Sequence, residues 1–262
     1  MTPLTLPDVG SDPRRLVRLD AVHNFRDVGG YPTIDGRTTA WRRLYRADGL
    51  HRLTGADLEA VRARGLHTVI DLRTDAELAQ RGTFPQADHP VSFHHVPVID
   101  TTWNHMDRPD TDDPVVFLEW AYMDMLRQGA HRFVEAIEQL SLPGALPAVF
   151  HCAAGKDRTG VLAMLLLGSM GVAHEYIVAD YGLTGEGMER MMVWARREAP
   201  EIAANFAETP SMFLAASPEA MARVIENVCA LHGTIRDYTL AMGVSPAALD
   251  RLTAELLEDH RR

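Results

Sequence analysis

The text from Phe150 to Gly160, FHCAAGKDRTG, constrains this chain more than any other stretch. An apolar, strand-like run, Leu146 to His151 (LPAVFH), enters a loop of small residues. From Arg158 the chain leaves that loop as the apolar, helix-like text TGVLAMLLLGSMG. Strand, small-residue loop, helix is an order that turns several backbone N–H groups onto one point, and the helix adds its partial positive N-terminus there. The amides of Ala153, Ala154, Gly155 and Lys156 can therefore curl around one anion, because small side chains do not obstruct the curve. Arg158 closes the cradle with a planar fork that binds two oxygens at once, as lysine cannot. The expectation is a phosphate site at the C-terminal end of a strand.

Cys152 opens this loop. A thiol of ordinary pKa, ~8.5, is only a few per cent thiolate at neutral pH, and the helix terminus and inward amides are expected to lower that value. The Cys-x5-Arg spacing then lets one loop both hold phosphate and present sulfur to phosphorus, splitting one hard displacement into two. A nucleotide loop of the Walker type fails: its first glycine would fall on Phe150, and Asp157 follows the lysine where a Ser or Thr should bind magnesium. A structural cysteine at a strand end would explain Cys152 but not the glycine, the arginine and the helix start together. Lys156 is the only lysine among 26 lysines and arginines. At this place it can approach a second phosphate, or an acidic neighbour of the scissile group, as a point charge.

HCAAGKDRTG resembles the active-site loop of the protein-tyrosine phosphatase superfamily. With Asn24 to Gly30 (NFRDVGG), Leu44 to Leu50 (LYRADGL) and Val69 to Arg73 (VIDLR), the chain is similar to the bacterial atypical, family-3 tyrosine and phosphoinositide phosphatases, over roughly Ala21 to Gly171. That resemblance implies Cys152 as nucleophile, Arg158 as phosphate clamp, Thr159 as a hydroxyl that stabilises the thiolate, and His151 as an ordering residue. It implies no metal or organic cofactor. The implied partners are a phosphorylated protein or phosphoinositide, phosphotyrosine first, with Lys156 similar to a loop lysine associated with lipid phosphates. For the proton that the leaving oxygen needs, two candidates stand: Asp157, matching an in-loop aspartate of that branch, and Asp100, placed like the general acid of dual-specificity phosphatases. Two further readings remain: a catalytically silent module that binds phosphoprotein or phospholipid, and a thiol redox protein or sulfurtransferase on a similar loop.

The rest of the chain fits an α/β domain. Leu66 to Leu72 and Val91 to Ile99 read as strands, Thr54 to Arg64 as a helix capped by Thr54 with Asp57 three residues on, and Asp113-Pro114 as a helix start. Asp100 to Asp113 reads as a polar surface loop. After Gly171 the text reads as helical throughout, with Ser217-Pro218 and Ser245-Pro246 as starts and Gly233 and Gly243 as stops. The expected architecture is a single domain over 1–262. A short, mostly parallel sheet between helices occupies 21–172 around the loop 151–160, and residues 173–262 form a helical elaboration that could cover the site. A net charge of −10 argues against a broad nucleic-acid or anionic-membrane surface. The apolar run Val161 to Val172 is shorter than the roughly 20 residues of a membrane span. Two cysteines fit a reducing compartment rather than a disulfide framework, so a soluble cytoplasmic protein of unassigned oligomeric state is expected, with non-classical secretion left open.

Several residues have plainer readings. Asp71 and Arg73 form an ordinary ion pair or support the phosphate loop from the sheet edge. Asn24, Arg26 and Asp27 read as a hydrogen-bonded turn before Gly29-Gly30. Cys229 reads as core, His94-His95 as strand faces, and Tyr181 with Met188, Met191 and Met192 as a packed helical stripe.

Overall fold

The structure is a computed structural model that describes residues 4–99 and 109–259. In chain order its elements are β1 (Arg26–Asp27), β2 (Arg37–Thr39), β3 (Leu44–Ala47), α1 (Gly55–Arg62), β4 (Thr68–Asp71), α2 (Asp75–Arg81), β5 (Ser92–His95), α3 (Pro114–Gln128), α4 (Ala130–Leu140), β6 (Ala148–His151) and α5 (Asp157–Ser169). There follow α6 (His174–Gly182), α7 (Thr184–Glu198), α8 (Pro200–Glu208), α9 (Ser211–Leu214), α10 (Pro218–His232), α11 (Ile235–Ala241), α12 (Pro246–Leu256) and β7 (Leu257–Asp259).

The main sheet has the order β1-β3-β6-β4-β5, parallel except for β1 at the edge, so β6 is its central strand. Every residue of β3, β4 and β6 is buried, as expected of strands covered on both faces. Side chains that alternate along each strand divide between two cores. Leu44, Ile70, Ala148 and Phe150 join the larger core, with α3, α4, α5 and the C-terminal helices. Tyr45, Val69 and Val149 point the other way, toward Leu58 and Val61 of α1. The helix α5 lies inside the larger core and is buried nearly all round, which accounts for a run too apolar for a surface helix. Beyond it, α10 packs on α3 and α6, and α11 on α5.

Local chemistry sets most helix ends. Asp113 accepts from the Val115 amide at 2.8 Å, and Ser217 and Ser245 cap α10 and α12 ahead of their prolines. The cap expected at Thr54 is absent. Its side chain makes no capping bond, and Asp57 instead accepts from the amides of Asp20 and Ala21, both at 2.8 Å. The capping box belongs to α2, where Thr74 and Glu77 exchange bonds. Helix also does not persist to the end, because Leu257–Asp259 pairs antiparallel with Arg37–Thr39. That pairing fastens the C-terminal segment to the N-terminal part of the chain.

Candidate active site

Strand β6 ends at His151, whose carbonyl accepts from the Leu72 amide at 2.9 Å, so the phosphate loop starts at the C-terminal edge of the central strand. The loop carbonyls are turned away and tied down. Gly49 N donates to Ala153 O at 3.1 Å, Asn24 Nδ2 donates to Ala154 O and Gly155 O at 3.1 Å each, and Arg46 Nη2 donates to Gly155 O at 2.9 Å. The amides of Ala153, Ala154, Gly155 and Lys156 have no partner among the described residues. A loop with its carbonyls fixed outward and its N–H groups unpaired is an anion nest. Gly155 is needed for the curve: its φ is 65°, and a Cβ there would lie 2.6 Å from Ala47 O. Cys152, at the loop's start, is 2% exposed.

Arg158, buried in the first turn of α5, lies bidentate on Glu77 and also reaches Leu72 O at 3.4 Å. Against the burial that would lower it, Cys152, Glu77 and Asp157 hold the Arg158 pKa above its ordinary value. Lys156 Nζ is buried, donating to Ala215 O at 2.8 Å and lying 2.9 Å from Asp157 Oδ1. The same Oδ1 accepts from Tyr122 OH at 2.7 Å, and Tyr122 OH lies 2.6 Å from Tyr181 OH. Thr159 Oγ1 is buried with no hydrogen-bond partner among the described residues. Asp100 lies outside the described residues.

Behind the loop is a buried charge cluster. Asp180 Oδ1 accepts from Arg26 Nε at 2.9 Å and Tyr31 OH at 2.8 Å, while Oδ2 accepts from Arg46 Nη1 at 2.6 Å. Arg26 Nη1 also donates to Asn24 Oδ1, which aims the Asn24 amide at the loop carbonyls. The two arginines hold the Asp180 carboxyl below its ordinary value despite complete burial, which alone would raise it. On the other flank Arg73 grips Asp71 through Nε at 2.9 Å and Nη2 at 2.6 Å. Asp71 Oδ2 stands 3.5 Å from His151 Nε2, too long and misaligned for a hydrogen bond, and burial pushes the His151 pKa down. Arg73 Nη1 also meets His51 Nδ1 at 3.3 Å.

The fold thus places His151 at the end of β6, Cys152, Ala153, Ala154, Gly155 and Lys156 in the loop that follows, and Asp157, Arg158 and Thr159 in the first turn of α5, with Asp71 beside His151. Three expectations need correction. Asn24 and Arg26 are more than a turn, since they anchor the loop; only Asp27, accepting from Gly29 N at 2.8 Å, behaves as the turn reading has it. Tyr181 is more than packing, because its phenol meets Tyr122. Lys156 does not stand open toward a second phosphate but is held by Asp157 and Ala215. Glu77, Arg46, Asp180 and Tyr122 were missed. The T-x-x-E spacing of Thr74 and Glu77, and lone charges in the apolar texts LYRA and IVADYG, were the available signals, because a charge in a core needs a partner.

A family model described as the tyrosine phosphatase family matches residues 17–258. A Cupriavidus necator protein named as a tyrosine-protein phosphatase is 33% identical over 175 residues, covering 64% of this chain and 62% of that protein. The triple specificity protein phosphatase PtpB of Mycobacterium tuberculosis is 27% identical over 279 residues, covering 91% of this chain and 98% of that one. Among solved structures, P. aeruginosa TpbA in complex with pTyr aligns with a TM-score of 0.32 at 16% identity, covering 76% of this chain and 99% of that one.

Proposed function

This chain belongs to the tyrosine phosphatase family, and from that premise we propose that it hydrolyses phosphomonoesters through a phosphocysteine on Cys152. The observation that carries this reading is the loop itself: carbonyls fixed outward, four amides without a partner among the described residues, and Arg158 beside Cys152. Phosphate enters the nest, where the amides and Arg158 take the equatorial oxygens as charge develops on them. The Cys152 thiolate attacks phosphorus and the bond to the leaving oxygen breaks, with Asp157 supplying the proton that this oxygen needs. Water then attacks phosphorus, the S–P bond breaks, the water proton returns to Asp157, and phosphate leaves with the thiolate restored. The buried hydroxyl of Thr159, without a partner among the described residues, supports a role as donor to that thiolate. Phosphotyrosine is the first substrate of this proposal. The description of PtpB as a triple specificity phosphatase supports keeping phosphoserine, phosphothreonine and phosphoinositides within range.

The test is phosphate release, in the absence of metal, from phosphotyrosine and phosphoserine peptides and from phosphoinositide vesicles. Wild type is expected to turn over at least the first, and Cys152→Ser none. Turnover retained by Cys152→Ser would remove the covalent mechanism. Phosphate binding by wild type without turnover on any substrate would make the chain a silent binding module.

A further inference from the structure

Asp157 Oδ1 has two partners, one hydrogen-bond donor and one cation, and Oδ2 has no partner among the described residues. Tyr122 OH donates to Oδ1 at 2.7 Å, and the Lys156 ammonium lies 2.9 Å from the same oxygen in an ion pair, so a proton on Oδ1 would compete with a donor and face a positive charge. A proton on this carboxyl therefore sits on Oδ2. Tyr122 has one hydroxyl proton, and it goes to Asp157. Its 2.6 Å contact with Tyr181 must then be a bond that Tyr181 donates and Tyr122 accepts. We propose that Tyr122 and Tyr181 are positioning residues for the transferred proton, fixing Oδ1 so that Oδ2 is the oxygen that gives it up and takes it back.

Three helices make this chain possible. Tyr122 is on α3, Tyr181 on α6 and Asp157 at the start of α5. Tyr181 fits beneath α5 because residue 160 is glycine: a Cβ there would lie 2.9 Å from Tyr181 Cδ2. The rings meet edge to face, with centroids 6.0 Å apart. Both phenols are fully buried, and burial raises their pKa values, so both remain donors across the working pH range.

In the first half-reaction the Oδ2 proton passes to the leaving oxygen as S–P forms and P–O breaks. In the second, Oδ2 takes a proton from the attacking water as S–P breaks. Tyr122 and Lys156 stay on Oδ1 throughout, so no hydrogen bond to the carboxyl has to reorganise between the halves.

This inference rests on the reading of Asp157 as the acid, and the experiment separates the two. The kcat/KM of Tyr122→Phe, Tyr181→Phe and Asp157→Asn is measured on phenyl phosphate, a poor leaving group, and on 4-nitrophenyl phosphate, an activated one. Loss of proton donation penalises the poor leaving group selectively, whereas loosened packing lowers both alike. For Asp157→Asn the loss on phenyl phosphate should exceed that on 4-nitrophenyl phosphate by about 100-fold, for Tyr122→Phe by about tenfold, and for Tyr181→Phe by about threefold in the same direction. A selective loss in Asp157→Asn with uniform losses in both tyrosine variants would overturn the inference and leave the acid in place. Uniform loss in Asp157→Asn would overturn the acid assignment itself, and the inference with it. Either phenylalanine variant alone suffices should the other fail to fold.

Discussion

The guanidinium of Arg158 and the carboxylate of Glu77 face each other in parallel, with Nη1–Oε2 at 2.5 Å and Nη2–Oε1 at 3.0 Å. Glu77 also caps α2, accepting from the Thr74 amide at 2.8 Å, so one carboxylate holds both the phosphate clamp and a helix start. Burial would raise its pKa, but Arg158 first and Thr74 next bring it down to about 2.

A depressed carboxyl stabilises the fold above its unfolded pKa, and that stability is lost as pH falls through the folded value. For Glu77 the window runs from its ordinary value of 4.5 down to about 2. Its contribution above that window is about 3 kcal/mol. Urea unfolding of wild type and Glu77→Gln should therefore differ most above pH 5 and converge as pH falls toward 2. A difference independent of pH would show that the charge of Glu77 is not what stabilises the pair.

Gly155→Ala tests the loop's curvature. A Cβ would meet Ala47 O, a backbone atom, at 2.6 Å, at a φ of 65°. The expected cost is about 1–3 kcal/mol of stability from the strained conformation. Phosphate release should fall at least about tenfold, because a flattened loop no longer aims its amides at one point. Full activity with unchanged unfolding would mean that the nest tolerates a different curve.

The layers and the loop were legible in the sequence because they rest on local rules. Strand texts such as VFH and VID are apolar and short, and the small residues between Cys152 and Arg158 state their purpose by what they lack. The structure adds what local text cannot carry. Glu77 reaches Arg158 across 81 positions and Asn24 reaches Gly155 across 131, and no spacing rule joins such pairs. The short edge strand Arg26–Asp27 has too few residues for a period of two to be seen, and β7 forms only because β2 offers it an edge. Thr54 and Asp57 resembled a cap, but Asp57 found two amides from the N-terminal segment that sequence does not place beside it. Tertiary partners overrode the local signal there.

Asp180→Asn should be among the most damaging single changes outside the loop. It keeps the side chain's shape but leaves Arg26 and Arg46, both buried, without their shared anion. Uncompensated buried charge costs about 3–5 kcal/mol. Because Arg46 and the Asn24 held by Arg26 anchor the loop carbonyls, kcat of the fraction that remains folded should also fall. Urea unfolding and steady-state turnover check the two effects separately. Wild-type stability in this variant would mean that the arginines find other partners.

Lys156 decides between two accounts of the lone lysine. If its ammonium meets a second phosphate on a lipid substrate, Lys156→Gln should impair phosphoinositide hydrolysis and spare a phosphotyrosine peptide. In the structure the Lys156 side chain is 2% exposed, and its ammonium pairs with Asp157 Oδ1 and donates to Ala215 O, the latter in the segment between α9 and α10. A charge held there acts on every substrate alike, through the carboxyl that carries the proton. Losing a charge-assisted hydrogen bond of this kind corresponds to about 10- to 100-fold. The expected result is a loss of kcat/KM in that range on both substrates, of similar size. A loss confined to the phosphoinositide would instead mean that Lys156 leaves Asp157 and Ala215 when a second phosphate arrives.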